Sequence, residues 1–328
     1  MNDLVSIITP SYNSEKFIED TILSVINQDY DSIEHIIIND GSTDSTEEII
    51  KKYDKHIKYI KVENGGANRA RNIGAKIAKG KYFMFLDSDD ILDKNTIKIL
   101  VSHQNDMDIT ACKTSRLSYT NGHWVDSPMG MSFLPPEKDE ISSWLTGWYI
   151  PPCSILWSKF SYSKVIKWDE RLSINQDGDI MLRALLNGVK IIYAPETKAY
   201  YRNSNQNRMS ISSKLNDKKS IESNLMVIEK VIDIMKDKKI INEYKTEIGY
   251  FYYHIARHSF GFDDKLARFS LNLSKKYIGN KNFGSIYHKI FSFVFGLEKK
   301  EKIAKYFSHF GLGTKKRINR NNLVKNNS

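Results

Sequence analysis

The stretch Tyr82–Leu92, YFMFLDSDDIL, runs apolar for five residues and then sets three aspartates, Asp87, Asp89 and Asp90, within four positions. A short apolar run of this kind reads as a strand buried on both faces. Three like charges this close repel one another, and a loop that only connects two elements does not need them. The stretch therefore reads as a strand that delivers carboxylates to the end of a sheet.

The residues upstream repeat the pattern. LVSIITP (Leu4–Pro10) is a β-branched run stopped by proline, and SEKFIEDTILSVINQ places Phe17, Ile18, Ile22, Val25 and Ile26 at helical spacing with Ser14 as its N-cap. IEHIIIND ends at Asp40, and DSTEEIIKKY offers Asp44 and Glu47 as a capping box. IKYIKV is a third strand, and ANRARNIGAKIAKG a helix with Gly80 past its end. Strands alternating with helices argue for an α/β fold with a mainly parallel sheet covered on both faces. Ligands bind such sheets at the carboxyl ends of the strands. Thr9–Asn13, Asp40, Asn64–Gly66 and Asp87–Asp90 all fall there.

From about Asp106 to Tyr201 the signals are mixed. SILWS and KIIYAP read as strands, and DIMLRALLNG as a helix closed by Gly188. From about Ser220 the pattern turns helical. The expected division is a domain over residues 1–215, with a nucleotide-binding half at 1–105 and an acceptor-binding half at 106–215, followed by a helical, basic region at 216–328.

Composition narrows the class. With 41% hydrophobic and 12% aromatic residues the chain can build a core, so global disorder is excluded. Cys112 and Cys153 make neither a disulfide framework nor a zinc spacing, which fits a reducing compartment. The opening MNDLVSIITP has an acid where a signal peptide would be basic, and no apolar run approaches the roughly 18 residues of a membrane span. A cytoplasmic protein is expected. The net charge of +10 is concentrated near the end, in EKKEKIAKYF and TKKRINRNNLVK. Nucleic acid, an anionic membrane or an anionic substrate would each explain it, as would plain solvated lysines.

The dinucleotide pattern G-x-G-x-x-G follows none of the expected strands. GAKIAKGK mimics a P-loop, but five residues separate its glycines and Tyr82 follows the lysine. A nucleotide held through a metal is the alternative. Mg²⁺ or Mn²⁺ takes carboxylate oxygens and leaves positions for substrate phosphates. Asp87 and Asp89 have the spacing to share such an ion, although DSDD alone also suits a turn followed by a helix N-cap, with Asp90 as a helix-start carboxylate.

Five ordered segments lift that ambiguity: VSIITPSYN (Val5–Asn13), IINDGSTDST (Ile37–Thr46), NGGANRARNIG (Asn64–Gly74), YFMFLDSDDIL and DERLSINQDGDIMLRALLNG (Asp169–Gly188). Together they resemble the family 2 glycosyltransferases, inverting enzymes of the GT-A fold that use nucleotide sugars. The resemblance covers roughly the first 210 residues. It implies a Rossmann-like mixed sheet flanked by helices, with a C-terminal helical extension. It also implies a UDP-sugar donor and a saccharide acceptor, on a growing surface glycan and in one version lipid-linked. Thr9, Pro10 and Tyr12 would form the first nucleotide-contacting loop, and Asp40 would accept the uracil N–H. Asn68 and Arg71 would face the diphosphate, with Asp87 and Ser88 beside the donor and Asp89, with or without Asp87, holding Mn²⁺ or Mg²⁺. Asp177 would be the general base, and Trp148, Gln176 and Arg183 would lie on the acceptor side. Trp157 and Trp168 flank the same region, Trp157 reading more as a core residue.

Two departures from the family pattern stand out. Gln176 occupies the place of a glutamate, and Ser204 that of a histidine two residues after Arg202. Aromatics among lysines in YHKIFSFVFGLEKKEKIAKYFSHF fit packing on the main domain, a second copy of the chain, or the inner face of a membrane. A nucleotidyltransferase is disfavoured by the missing glycine-rich loop. A nucleic-acid-binding role is disfavoured by the placement of charge in the tail, and an inactive scaffold by the intact Asp87, Asp89 and Asp177.

Overall fold

The computed structural model describes residues 2–120, 123–129, 136–203, 217–284, 288–289, 292–293 and 296–309. They form two compact units. The first comprises Met1–Glu137, Tyr149–Arg171 and Gln176–Arg208; the second comprises Lys138–Trp148, Leu172–Asn175 and Met209–Ser328. The boundary expected at 215 falls within 204–216, outside the described residues, as does Ser204.

In the first unit β1 (Val5–Ser11), α1 (Ile18–Ile26), β2 (Ile33–Asp40), α2 (Thr46–Lys51), β3 (Ile57–Val62), α3 (Ala67–Ile77) and β4 (Tyr82–Phe85) follow one another as expected. Then come the short β5 (Ile91–Leu92), α4 (Thr96–His103), and a hairpin of β6 (Ile109–Thr120) and β7 (His123–Pro128). In the second unit α5 spans Glu140–Leu145. Back in the first, β8 (Ile155–Ser158), α6 (Lys159–Ser163), α7 (Gln176–Leu186) and β9 (Ile191–Asn203) complete the set. Among the described residues nine strands make one sheet in the order β3-β2-β1-β4-β8-β6-β9-β5, with β7 on β6. The first four are parallel, β8 runs against them, and β9 is parallel to β6.

The apolar runs explain the layering. Side chains alternate faces along a strand. Ile37 of β2 packs with Ile18, Ile22 and Ile50 of α1 and α2, while Ile36 and Ile38 pack with Ala70 of α3 on the opposite face. A strand buried on both sides needs an unbroken Ile run, and β2 has one. On β1 and β4, Val5, Ile7, Met84 and Leu86 join Leu156 of β8 in one further cluster.

The second unit contains α5 and the helices α8 (Lys218–Asp237), α9 (Lys245–Ser259), α10 (Asp264–Ile278) and α11 (Leu297–His309). Tyr253, Ala256, Phe260, Ala267 and Leu297 form a core there. Gly249 lets α9 meet α10 closely, because a Cβ would stand 2.5 Å from Ile278. Among the described residues no helix is long and apolar enough to cross a membrane.

Three local expectations are corrected. The Ser14 side chain does not cap α1; its hydroxyl bonds Tyr12 O and Ser88 instead. Asp44 lies one residue before the N-cap Ser45 and accepts from the Thr46 N–H, while Glu47 pairs with Lys51 and Lys61. Gly80 does not end α3, which stops at Ile77. It lies where its N–H reaches Ser6 and Glu34 and where a Cβ would strike Ser6.

Gly74 sets how closely α3 lies on the sheet, since a Cβ there would stand 2.4 Å from Ile8 Cγ2. Gly74→Ala is expected to cost about 1–3 kcal/mol of unfolding free energy by overpacking. A denaturant titration with an unchanged midpoint would contradict that close approach.

Candidate active site

The site begins where β1 and β4 part. Their pairing ends at Ile8 and Phe85, while β1 continues against β2 to Ser11 and Asn39. Pro10 sits beyond the last β4 contact, so its missing N–H costs no bond on that side. Thr9 is fully buried within β1, its hydroxyl 2.9 Å from His35 Nε2. Burial pulls that imidazole down to about 3, which keeps it neutral. Tyr12 is the exposed member of the segment, at 46%. Asn13 takes a left-handed backbone, φ 48°, and its side chain accepts the Thr43 N–H at 2.8 Å. Across the gap Ser14 and Ser88 share a hydrogen bond of 2.6 Å, joining the β1 loop to the aspartate loop.

Asp40 closes the next strand. Its two oxygens accept the N–H groups of Gly65 and Gly66, both at 2.8 Å, and Asn64 donates to its carbonyl. The carboxylate thereby ties the end of β2 to the start of α3. Gly66, with φ +90°, makes the turn into that helix.

Arg71 is the centre of the arrangement. It is 4% exposed, yet its guanidinium gathers partners from four segments. Nη2 donates to Asp87 Oδ1 at 2.6 Å, and Nη1 donates to Asn68 Oδ1 at 3.1 Å and Gln176 Oε1 at 3.0 Å. Its flat face lies 4.5 Å from the centre of the Trp168 ring. Asn68 in turn donates to Asp169 O at 2.7 Å. Thus Asn68, Arg71, Asp87 and Gln176, expected from separate motifs, meet at one place.

The three aspartates divide their work. Asp87, partly exposed, pairs with Arg71. Asp89 is also partly exposed. Asp90 is buried, accepts the Arg202 N–H at 3.0 Å, and receives Thr21 on its carbonyl. The expectation that Asp90 starts a helix is corrected: β5 follows, and Asp90 fastens β9. Burial, then the charges of Asp89 and Asp87, push its carboxyl well above the usual range. Favouring the neutral acid there eases the repulsion within the cluster. Among the described residues no three His, Cys, Asp or Glu side chains converge as a preformed metal site. Asp87 and Asp89, one residue apart and both reaching solvent, still fit a divalent ion that takes its other ligands from a diphosphate and water.

The acids of α7 part in the same way. Asp179 is buried and bound by Arg183 Nε and Nη2 at 3.0 and 2.6 Å. Arg183 also donates to Val165 O and, at 3.0 Å, to Lys167 O. These bonds brace the 165–167 segment. Asp177 keeps partial access to solvent. Burial pushes its carboxyl up to about 6, with Arg71 drawing it down and Asp87 adding to the rise.

The tryptophans separate too. Trp157 is a core residue paired with Phe83 across β8 and β4. Trp148 belongs to the second unit and meets Trp144 edge-on at 5.9 Å. Trp168 is buried against the face of Arg71. Sequence reasoning missed Trp124, whose ring lies 4.9 Å from the Arg202 guanidinium, with the Phe17 ring at 5.2 Å. Nothing local marks it, because the contact joins residues far apart in the chain.

Residues 6–164 match the sequence profile described as Glycosyl transferase family 2. The minor teichoic acid biosynthesis protein GgaB of Bacillus subtilis (strain 168) is 30% identical over 244 residues, covering 71% of this chain and 27% of that protein. TuaG of the same organism, a putative teichuronic acid biosynthesis glycosyltransferase, is 46% identical over 100 residues, covering 29% of this chain and 39% of its own. The chain thus spans well under half the length of either relative. Residues 1–349 of S. aureus TarS in complex with UDP-GlcNAc superpose with a TM-score of 0.60 at 19% identity, covering 93% of this chain and 92% of that one. That likeness confirms the GT-A type of α/β fold.

Asp40→Ala removes the carboxylate that accepts the Gly65 and Gly66 amides. A loss of about 1–3 kcal/mol is expected, with faster hydrogen exchange at Gly65 and Gly66. Asp40→Asn, which keeps one acceptor, should lose less. Exchange at those amides indifferent to Ala would show that Asp40 does not hold the turn.

Proposed function

Because the chain belongs to glycosyl transferase family 2 through residues 6–164, we propose that it transfers a sugar from a UDP-sugar to a hydroxyl of a bacterial surface polysaccharide. The observation that carries the reading is the division of labour between Asp177 and Asp179. One carboxylate is consumed by Arg183, and the other reaches solvent beside Arg71 and Asp87 with an affinity for protons suited to a base. The choice of UDP is supported by the fold neighbour TarS, which was crystallised with UDP-GlcNAc. The surface-polymer acceptor is supported by the teichoic acid role carried in the name of GgaB.

In this reading Tyr12 offers an exposed face to the base, and Asp40 Oδ1, which accepts the Gly65 N–H, uses a second lone pair for the uracil N–H. Arg71 meets the diphosphate. Asp177 takes the proton of the acceptor hydroxyl as that oxygen attacks the anomeric carbon. The bond to UDP breaks as the new glycosidic bond forms, and attack from the opposite face inverts the centre. Asp89 with Asp87 would hold Mn²⁺ or Mg²⁺, which supplies stabilisation of charge on the departing diphosphate when bound. A place at the inner face of the membrane, near lipid-linked acceptors, is supported by the basic composition of the C-terminal region and by the exposed Lys299 of α11.

Asp177→Asn is expected to reduce transfer by about 10²- to 10⁴-fold while leaving UDP affinity nearly unchanged; strong residual transfer removes Asp177 as the base. The base acts deprotonated, so kcat/KM should be level above pH 6 and fall on the acid side of about 6. A rate independent of pH through that range would contradict the assignment. Asp89→Ala should abolish the dependence of UDP binding on Mn²⁺, as read by calorimetry with and without the ion. Metal dependence that survives the change would sink the ligand role.

A further inference from the structure

We propose that Trp168 is a positioning residue for donor binding, holding Arg71 in place through its ring face. The inference rests on the functional reading above.

The in-plane bonds of Arg71 run to Asp87, Asn68 and Gln176. They hold the guanidinium by its edge, and the indole of Trp168, its ring centre 4.5 Å from the guanidinium carbon, backs its face. Arg71 Nε has no hydrogen-bond partner among the described residues, so the ring supplies stabilisation that a further acceptor would otherwise provide. The nature of these partners matters as well. The amide oxygens of Asn68 and Gln176 and the ring face stabilise a buried cation without adding negative charge. Of the groups hydrogen-bonded to the guanidinium, Asp87 alone carries a charge, so the cation keeps attraction for an anionic ligand.

Trp168 is itself held by the elements that supply the site. Its N–H donates to Asn72 Oδ1 at 2.9 Å, and its carbonyl accepts Asn72 Nδ2 at 3.0 Å. Asn72 also reaches Glu170 at 2.8 Å, while Asn68 holds Asp169 O one turn earlier on α3. The ring edge meets Phe85 at 5.1 Å, at the end of the strand that leads to Asp87. The backbone at Trp168 is thereby fixed to α3, the source of Arg71, and the ring rests against the end of β4, which leads to Asp87.

The test compares Trp168→Phe and Trp168→Leu in the full chain, with calorimetric binding of UDP in the presence of Mn²⁺ and thermal unfolding read together. Both replacements remove bulk from the core, but phenylalanine keeps a ring face. UDP affinity is expected to stay within a few-fold for Phe and to fall on the order of tenfold for Leu, at matched unfolding temperatures. Adding Trp168→Leu to Arg71→Met should then produce no further loss. Equal UDP affinity in the Phe and Leu variants, or a full additional loss in the Arg71→Met background, would overturn the proposal and leave a packing role only. Failure of the unmodified chain to bind UDP would sink the functional reading and this inference together; UDP binding indifferent to leucine sinks the inference alone.

Discussion

Every polar group of the site depends on β1 and β4 ceasing to pair after Ile8 and Phe85. A sheet covered by helices on both faces offers no water to a polar side chain along its length. Polar chemistry is driven to the strand ends, and a gap between neighbouring strands is where it can be reached. The order β3-β2-β1-β4 places that gap beside β1, with the next helical connections leaving on either side. Ser14 and Ser88 bridge it, so the opening has a set width rather than a loose margin.

Within that opening one buried cation organises acids that would otherwise disperse. Arg71 draws Asp87 from β4 and Gln176 from α7 to the start of α3. The cost of taking the guanidinium out of water is offset by a carboxylate, two amide oxygens and an aromatic face. The same economy applies to the other acids. Asp179 is neutralised by Arg183, Asp40 by backbone amides, and Asp90 by burial toward its protonated form. Asp87, Asp89 and Asp177 keep partial access to solvent, and those are the three to which the proposed reaction assigns work.

The sheet and the strand-end location of the site were legible because both rest on local signals. Ile36, Ile37 and Ile38 read as a doubly buried strand from their own sequence, and so did the run before Asp87. The partners of polar side chains were not legible. Ser14 looked like a cap and Asp90 like a helix start, because a hydroxyl or carboxylate beside a helical pattern has a local use. Ser88 and the Arg202 N–H, the partners they take, lie 74 and 112 residues away. Arg183 matched a motif but is spent on two carbonyls that only the folded chain brings near. The contact of Trp168 with Arg71 was hidden for a related reason: an indole suits a sugar and a guanidinium equally, and only packing brings the guanidinium to it. The β6–β7 hairpin, exposed along β7, carries too little apolar alternation to announce itself.

The depth of Arg71 has a consequence for how ionic strength acts on this protein. Mobile ions weaken interactions between charges that share water with them, over a distance of about 8 Å at physiological salt. A guanidinium sealed between a helix, a strand end and an indole lies largely outside their reach. The lysines of α11 lack that shelter: Lys299 is exposed, and Lys302 is partly exposed beside Glu298. Salt thus separates the two positive regions of the chain: the hold of Arg71 on Asp87 persists in a concentrated buffer that loosens the ion pairs of Lys302.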